Sequence, residues 1–266
     1  QVLNQNFIID NRPSAGGNVA LEIGASAPPD GYTLVSVAAS AILYPLFYKS
    51  KVDVLHDLAP VSQISAQGYC VVVHPSVPAR TAPEFVQILK ASPGKLRFGS
   101  SGVAGAIHLT GELFLAATGT KMLHVPYKGT AMTYTDLIGG QIDAGFPTIV
   151  SALPHIKGGR IRALGSTTPQ RSPAIPELPT LAEQGIRGVE VVAWYGILAP
   201  RGTPRPVIAK LNSAIAEALR QPEMIKRLRA DGSDAVSSTP DAFHALLVAD
   251  RDKWSKLVKQ AGIKPE

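Results

Sequence analysis

The chain has 266 residues, 45% hydrophobic and 17% charged, enough to bury one large core or two ordinary ones, which excludes intrinsic disorder. The net charge of +6 and pI near 9.4 raise nucleic-acid binding, but Lys and Arg are spread along the chain and aromatics are only 6%, without basic interleaving. A solvated surface with a mild preference for anions fits better, and no apolar run reaches membrane-spanning length.

Phe7-Ile8-Ile9 has strand composition and is closed by Asp10-Asn11-Arg12-Pro13 and a Gly16-Gly17 turn; Asn18 then caps a short helix through Leu21 and Ile23. Pro28-Pro29-Asp30-Gly31 is a turn before a strand over Tyr32–Val37. Residues 38–70 are less regular, with a short helix near Ile42–Tyr48. Val71-Val72-Val73 reads as a buried strand ending at His74-Pro75. The single cysteine, Cys70, precedes this run; it reads as a core residue, and one cysteine excludes both an intrachain disulfide and a thiolate zinc site.

Thr81 and Glu84 form a capping box for a helix with Phe85, Ile88 and Leu89 inward. Leu96–Phe98 is a strand, and from His108 a helix places Leu109, Leu113 and Ala117 on one face. Met122–Val125 is a strand, followed by a helix through Tyr134, Leu137 and Ile138 that stops at Gly139-Gly140. The strand Ile142–Phe146 leads through Pro147-Thr148 into a helix carrying Val150, Leu153 and Ile156, and after Gly158-Gly159 comes the strand Ile161–Gly165. This alternation predicts a mostly parallel, helix-covered sheet.

A proline-rich connection, Pro169–Pro179, and a short helix near Leu181–Gln184 lead to the strand Val191–Leu198. Thr203-Pro204 caps a helix striped with Val207, Leu211, Ile215 and Leu219. Thr239-Pro240 opens a last helix through Phe243, Leu246, Leu247, Trp254, Leu257 and Val258, stopped by Gly262.

Three glycines and two serines separate the strand Leu96–Phe98 from the helix at His108. Such a loop offers backbone N–H groups and hydroxyls at the positive end of a helix dipole, which suits an anion. Plain tight turns have the same composition, and the loop alone leaves both readings open. Catalysis finds less support. Ser101 and His108 have no third group to orient them, Gly-x-Ser-x-Gly is absent, and the six histidines form no His-x-x-x-His pair. Gly99, Gly102 and Gly105, each three apart, do not make a dinucleotide fingerprint. His108 reads as a helix-start or domain-contact histidine.

Four segments are taken to follow predicted strands: Ser100-Ser101-Gly102, Tyr127-Lys128-Gly129, Phe146-Pro147-Thr148 and Trp194-Tyr195-Gly196. Ligands of open α/β sheets collect at strand carboxyl ends, so these corners are expected to line one crevice. The bland alternatives are core-edge aromatics at Tyr127 and Trp194, a solvated charge at Lys128 and a helix cap at Thr148.

Several segments are similar to one family in order and almost end to end. They include Asn11-Arg12-Pro13-Ser14-Ala15-Gly16-Gly17-Asn18, Ala27-Pro28-Pro29-Asp30-Gly31-Tyr32-Thr33-Leu34, Gly99-Ser100-Ser101-Gly102 with His108-Leu109 and Glu112, and Val125-Pro126-Tyr127-Lys128-Gly129. Asp136-Leu137-Ile138-Gly139-Gly140-Gln141-Ile142-Asp143, Leu178-Pro179-Thr180-Leu181-Ala182-Glu183 and Ala199-Pro200-Arg201-Gly202-Thr203-Pro204 continue the match. On these motifs the chain resembles the Bug (TctC-like) family, the periplasmic solute-binding receptors of tripartite tricarboxylate transporters.

The resemblance implies an α/β, two-domain, type II-like periplasmic-binding-protein fold with a ligand cleft between the domains. Domain 1 would comprise residues 1–75 and 197–266, and domain 2 residues 76–196. It implies a non-enzymatic receptor without cofactor, metal or nucleic-acid partner, which captures a small carboxylate and passes it to membrane transporter subunits. The ligand-binding residues it implies are Ser100, Ser101, Gly102, Ala104, Gly105, Tyr127, Thr148 and Tyr195. The alternative from another class is an effector-binding domain of a signalling or transcription-regulating protein; no helix-turn-helix precedes Phe7.

Family members begin with a strand and a Pro- and Gly-rich loop ahead of the segment matching Gln1–Phe7, the other half of the carboxylate clamp. The resemblance therefore implies that domain 1 lacks this strand and loop here. The expected consequence is weak ligand binding with instability, association through the exposed strand edge, or filling by another segment, where the intact fold would be monomeric. The Phe146-Pro147-Thr148 corner also lacks the Asp common in relatives.

Overall fold

The computed structural model describes residues 3, 5–12, 18–230 and 233–262. In chain order these form α1 (Asn18–Ala25), β1 (Val35–Ala38), α2 (Ser40–Leu43) with a 3-10 turn over Tyr44–Leu46, α3 (Val54–Asp57), β2 (Leu58–Gly68) and β3 (Cys70–Val73). Next come α4 (Ala82–Ala91), β4 (Arg97–Ser100), α5 (Ala106–Thr118), β5 (Leu123–Pro126), α6 (Thr130–Ile138), β6 (Ala144–Gly145), α7 (Ile149–Lys157) and β7 (Arg162–Ser166). The last third holds β8 (Val192–Pro200), α8 (Arg205–Leu219), α9 (Pro222–Ala230), β9 (Asp234–Ala235) and α10 (Pro240–Ala261).

The chain divides into two compact units. Unit 1 is Gln1–Ala66 with Trp194–Lys256, and unit 2 is Gln67–Ala193 with Leu257–Glu266. Each unit has its own sheet, in the order β1-β8-β2-β9 for unit 1 and β5-β4-β6-β3-β7 for unit 2.

Unit 2 has helices on both faces of its sheet, and the alternation of β3 shows why. Val71 and Val73 point into a cluster with Phe85 and Leu89 of α4, Phe98 of β4 and Phe114 of α5. Cys70 and Val72 point the other way, against Tyr134 and Leu137 of α6 and Ile149 and Ala152 of α7. All four β3 side chains are buried, so the run is apolar throughout, as expected for a strand covered on two sides. The sheet is not mostly parallel, however. β4 runs parallel to β5 and β6, while β3 is antiparallel to both β6 and β7. Strand–helix alternation constrains only strands joined by helical crossovers, and β3 enters unit 2 directly from β2, reversed between β6 and β7.

In unit 1, Val35 and Val37 of β1 pair with Leu198 and Gly196 of β8, and this face packs on Leu21, Phe243 and Leu247. Gly196 is where the Phe243 ring lies closest, occupying the place a Cβ would take. Buried Trp194 meets Phe243 edge to face and donates its indole N–H to Asp250 Oδ2 at 2.6 Å. The opposite face carries Val61 and Ala199 against Leu211 of α8.

Several local expectations change. Phe7, Ile8 and Ile9 lie outside any strand and are 63%, 91% and 78% exposed, because strand composition cannot make a ladder without a paired neighbour. Pro13–Gly17 lie outside the described residues. The longest strand, β2, falls in the stretch expected to be irregular: Leu58–Gly68 is rich in Ser, Gln, Ala and Gly and shows no strict alternation. α5 starts at Ala106, and its buried side includes His108, Gly111, Phe114 and Leu115 beside Leu109, whereas Ala117 is exposed.

Capping also differs from the sequence expectation. At α4 the Thr81 hydroxyl accepts the Glu84 N–H, but Glu84 answers to the Arg80 N–H and not to Thr81. A reciprocal box forms instead between Thr180 and Glu183, closing a turn where a short helix was expected. Thr203 donates to the Pro200 carbonyl, and α8 begins only at Arg205. Thr239 does cap α10 by accepting the Ala242 N–H.

Candidate functional site

The parallel strands β4, β5 and β6 end together, because Gly99 is opposite Val125 and Gly145 in the ladder. Their carboxyl ends lead through short loops into α5, α6 and α7, whose N-termini bring positive dipole ends to this edge of unit 2. The Tyr127 N–H donates to the Ser100 carbonyl at 2.9 Å, and Thr133 Oγ1 donates to the same oxygen at 3.3 Å. The first two loops are thereby tied to one another.

Inside the loop after β4, the two serines differ. Ser100 is fully buried, and its hydroxyl donates to the Gly102 carbonyl at 2.8 Å, accepts the Gly102 N–H at 3.2 Å and meets His124 Nε2 at 2.7 Å. A proton on Nε2 of His124 satisfies all three contacts. Ser101 is half-buried, and its hydroxyl makes no hydrogen bond to the described residues. Ser101 thus presents the hydroxyl, while Ser100 shapes the turn.

Ala104 is the one non-glycine with positive φ, +61°, among the described residues. Its N–H donates to Nδ1 of buried His108 at 3.0 Å, an interaction that helps offset the cost of left-handed backbone at an alanine. Gly105, extended at φ −73° and ψ 162°, then enters α5 without any side-chain cap. The N–H groups of Gly105, Ala106, Ile107 and His108 have no intrahelical acceptor, as at every α-helix start. In unit 2 such groups are served by side chains at α4, by Thr81, and at α7, by Thr148, while α6, entered from Gly129, lacks a side-chain cap as α5 does.

Tyr127 sits beside this loop, but its hydroxyl donates to Asp136 Oδ2 at 2.7 Å. Burial, with the Asp136 bond and charge, pushes its pKa up to about 12. Thr148 caps α7 through Ser151 and bridges to Tyr69, so its hydroxyl is engaged at that helix start. Tyr195 is not at a strand end at all. It lies within β8 of unit 1, opposite Ala38, where it lines a pocket of about 190 Å³ with Ser36, Ser40 and Ala20.

Sequence reasoning singled out His108 but missed its partner. His124 lies opposite Phe98 in the β4–β5 ladder and stacks on His108 with ring centroids 3.7 Å apart. Burial first, and the His108 charge second, lower the His124 pKa to about 4, against an upward pull from Glu112. Cys70 is fully buried, and burial pushes its thiol up to about 12, as suits a core residue. Among the described residues, no three His, Cys, Asp or Glu side chains are grouped to hold a metal ion, and no helix is long and apolar enough to cross a membrane.

Comparison with known proteins identifies the family and the fold. Residues 1–263 match the family model of the tripartite tricarboxylate transporter family receptor, TctC. Protein BugT of Bordetella pertussis is 32% identical over 265 residues, covering 98% of this chain and 81% of BugT. Among solved structures, R. palustris Rpa4515 with adipate is 32% identical with a TM-score of 0.81, over 98% of this chain and 88% of that one. MatC (Rpa3494) from Rhodopseudomonas palustris with bound malate is 29% identical with a TM-score of 0.75, over 97% and 89% of the two chains. With the α/β architecture and two sheets described above, the chain belongs to the TctC family of tripartite tricarboxylate transporter receptors.

Proposed function

We propose that this chain is a periplasmic solute-binding receptor that captures a small carboxylate at the loop Ser100–Gly105 and delivers it to the membrane subunits of a tripartite tricarboxylate transporter. The observation that carries the reading is the uncapped start of α5 beside the unengaged Ser101 hydroxyl. A carboxylate placed there accepts from Ser101 Oγ and from the N–H groups of Gly105, Ala106 and Ile107, within the positive end of the α5 dipole. Gly102 and Ala104 shape the loop, their N–H groups being held by Ser100 and His108. Ser100, Tyr127 and Thr148 act as supports, since each hydroxyl already serves the protein. The receptor uses no cofactor and leaves its ligand chemically unchanged.

The relatives solved with adipate and malate make aliphatic dicarboxylates the first ligands to test. A thermal-shift screen over aliphatic di- and tricarboxylates, amino acids and aromatic acids, each beside its neutral amide, tests the reading. At about a hundredfold excess over Kd, a ligand adds about 2.7 kcal/mol of stability, which raises Tm. A carboxylate is expected to shift Tm where its amide does not. No shift from any carboxylate, or equal shifts from acid and amide, would overturn it.

A further inference from the structure

Unit 2 holds a second concave site, at the edge of its sheet away from the Gly-rich loop. β3 is antiparallel to both β6 and β7, so β7 runs parallel to β6 and begins at the edge where β4 and β6 begin. The loop Ser100–Gly105 follows the opposite, carboxyl end of β4. At the start of β7 a cleft of about 520 Å³ opens between this strand, the end of α7, the start of α4 and the proline-rich connection. Its floor is apolar, with Ile161 and Leu164 at the start of β7, Ile175 and Leu178 from the connection and Ile156 from α7.

The polar groups of the cleft converge on one chemistry. Arg162 Nη1 donates to the carbonyls of Val77 and Ala79 at 3.2 and 3.0 Å, which fixes this guanidinium in the wall. Its other nitrogens, and the whole guanidinium of exposed Arg80, have no acceptor among the described residues. The neighbouring groups are engaged. Gln184 Oε1 accepts the Ala82 N–H at 3.0 Å, its Nε2 donates to the Leu164 carbonyl at 2.9 Å, and Thr81 Oγ1 accepts the Glu84 N–H at 3.3 Å. Glu177, exposed on the rim, is paired with neither arginine.

We infer that this cleft is a second ligand site, which takes an apolar monoanion: an acyl or aryl body carrying one acidic group. Small-molecule sites combine a concave apolar lining of this size with a few convergent polar groups. The acidic head accepts from the guanidinium groups of Arg80 and Arg162, one of them already held in place by backbone carbonyls. The body lies over the isoleucine and leucine floor and displaces water from it. Two guanidinium charges against the Glu177 carboxylate leave one positive charge, which a single anionic head balances. The second carboxylate of a dicarboxylate would meet the apolar floor or Glu177, and either contact is unfavourable. The cleft thus differs in chemistry as well as in place from the Ser100–Gly105 loop.

Octanoate, titrated into protein labelled at its isoleucine methyl groups, tests the site by NMR. The methyls of Ile156, Ile161 and Ile175 are expected to shift in a saturable way, in wild type and in Ser101→Ala alike. Arg80→Gln, on the surface, should weaken this binding about tenfold, as for loss of a hydrogen bond to a charged group. Arg162→Gln should weaken it to a similar degree; where it fails to fold, Arg80→Gln decides. Glu177→Gln should strengthen octanoate binding by up to about fivefold, the scale of an exposed charge pair. Adipate and the neutral 1-octanol should leave the three methyls in place or move them only at much higher concentration. No shift at these methyls, or octanoate shifts confined to Ile107 at the Gly-rich loop, would overturn the second site. Unchanged affinity in Arg80→Gln, or equal binding of octanoate and 1-octanol, would overturn its assignment to an anion. Equal binding of adipate would overturn the preference for a single charge.

Discussion

The Tyr127 hydroxyl donates to Asp136 Oδ2 at 2.7 Å, tying the loop after β5 to the last turn of α6. In the proposed receptor, a hydroxyl committed in this way supports the loop without contacting ligand. Tyr127→Phe is expected to lower Tm by the loss of one hydrogen bond to a charged group, about 1.5–3 kcal/mol, with little change in carboxylate affinity. Ser101→Ala should do the opposite, weakening affinity by on the order of ten- to a hundredfold at unchanged unliganded Tm. Calorimetry and thermal unfolding of both variants check the contrast. Exchanged phenotypes would assign the ligand contact to Tyr127.

Alkaline pH should act through the same residue. Folding holds Tyr127 protonated up to about pH 12, whereas a free tyrosine ionises near 10. Buried Tyr134 is shifted in the same direction, mainly by burial. The contribution of these phenols is therefore intact below about pH 10 and declines between about 10 and 12. Tyrosinate absorbance during alkaline unfolding should show their ionisation together with loss of fold, after the exposed tyrosines.

On the acid side, His124 stays neutral in the fold down to about 4, while an unfolded histidine protonates near 6.5. Stability is thus retained above about 6.5 and falls as pH drops towards 4. His155, lowered by burial and Arg160, adds to the same trend. Urea midpoints across this range should decline, and His124→Gln should flatten part of the slope.

Unit 1 depends on a buried donor. Asp250 accepts the Trp194 indole N–H at 2.6 Å and pairs with Lys253 at 2.9 Å. Asp250→Ala leaves that N–H without its partner, at an expected cost of about 1–3 kcal/mol. A lower urea midpoint together with a changed Trp fluorescence spectrum would show it.

Gly111 lies where α5 meets the aromatic core of unit 2. An added Cβ would come within 2.6 Å of Phe98 Cε2 and 2.9 Å of Phe146 Cδ2. Gly111→Ala gains helix propensity, but overpacking typically costs about 1–3 kcal/mol, so net destabilisation is expected on thermal unfolding.

The run Tyr69–Val73, the capping threonines Thr81 and Thr239 and the Gly-rich loop were legible from residue order, because burial on both faces, helix starts and turn chemistry leave local marks. β2 left none. Its ladder position depends on β8 and β9, and Ser62 and Val61 bond Ser238 and Asn212 more than a hundred residues away. The loop shows the same division. Its glycines and serines suit an anion or a plain tight turn alike, and nothing local distinguished Ser100 from Ser101. That difference came from the parallel pairing of β4 with β5, which places His124 opposite Phe98 and within reach of the Ser100 hydroxyl. Propensity and periodicity report on neighbours along the chain, whereas a hydroxyl's partner is set by whichever strand lies beside it.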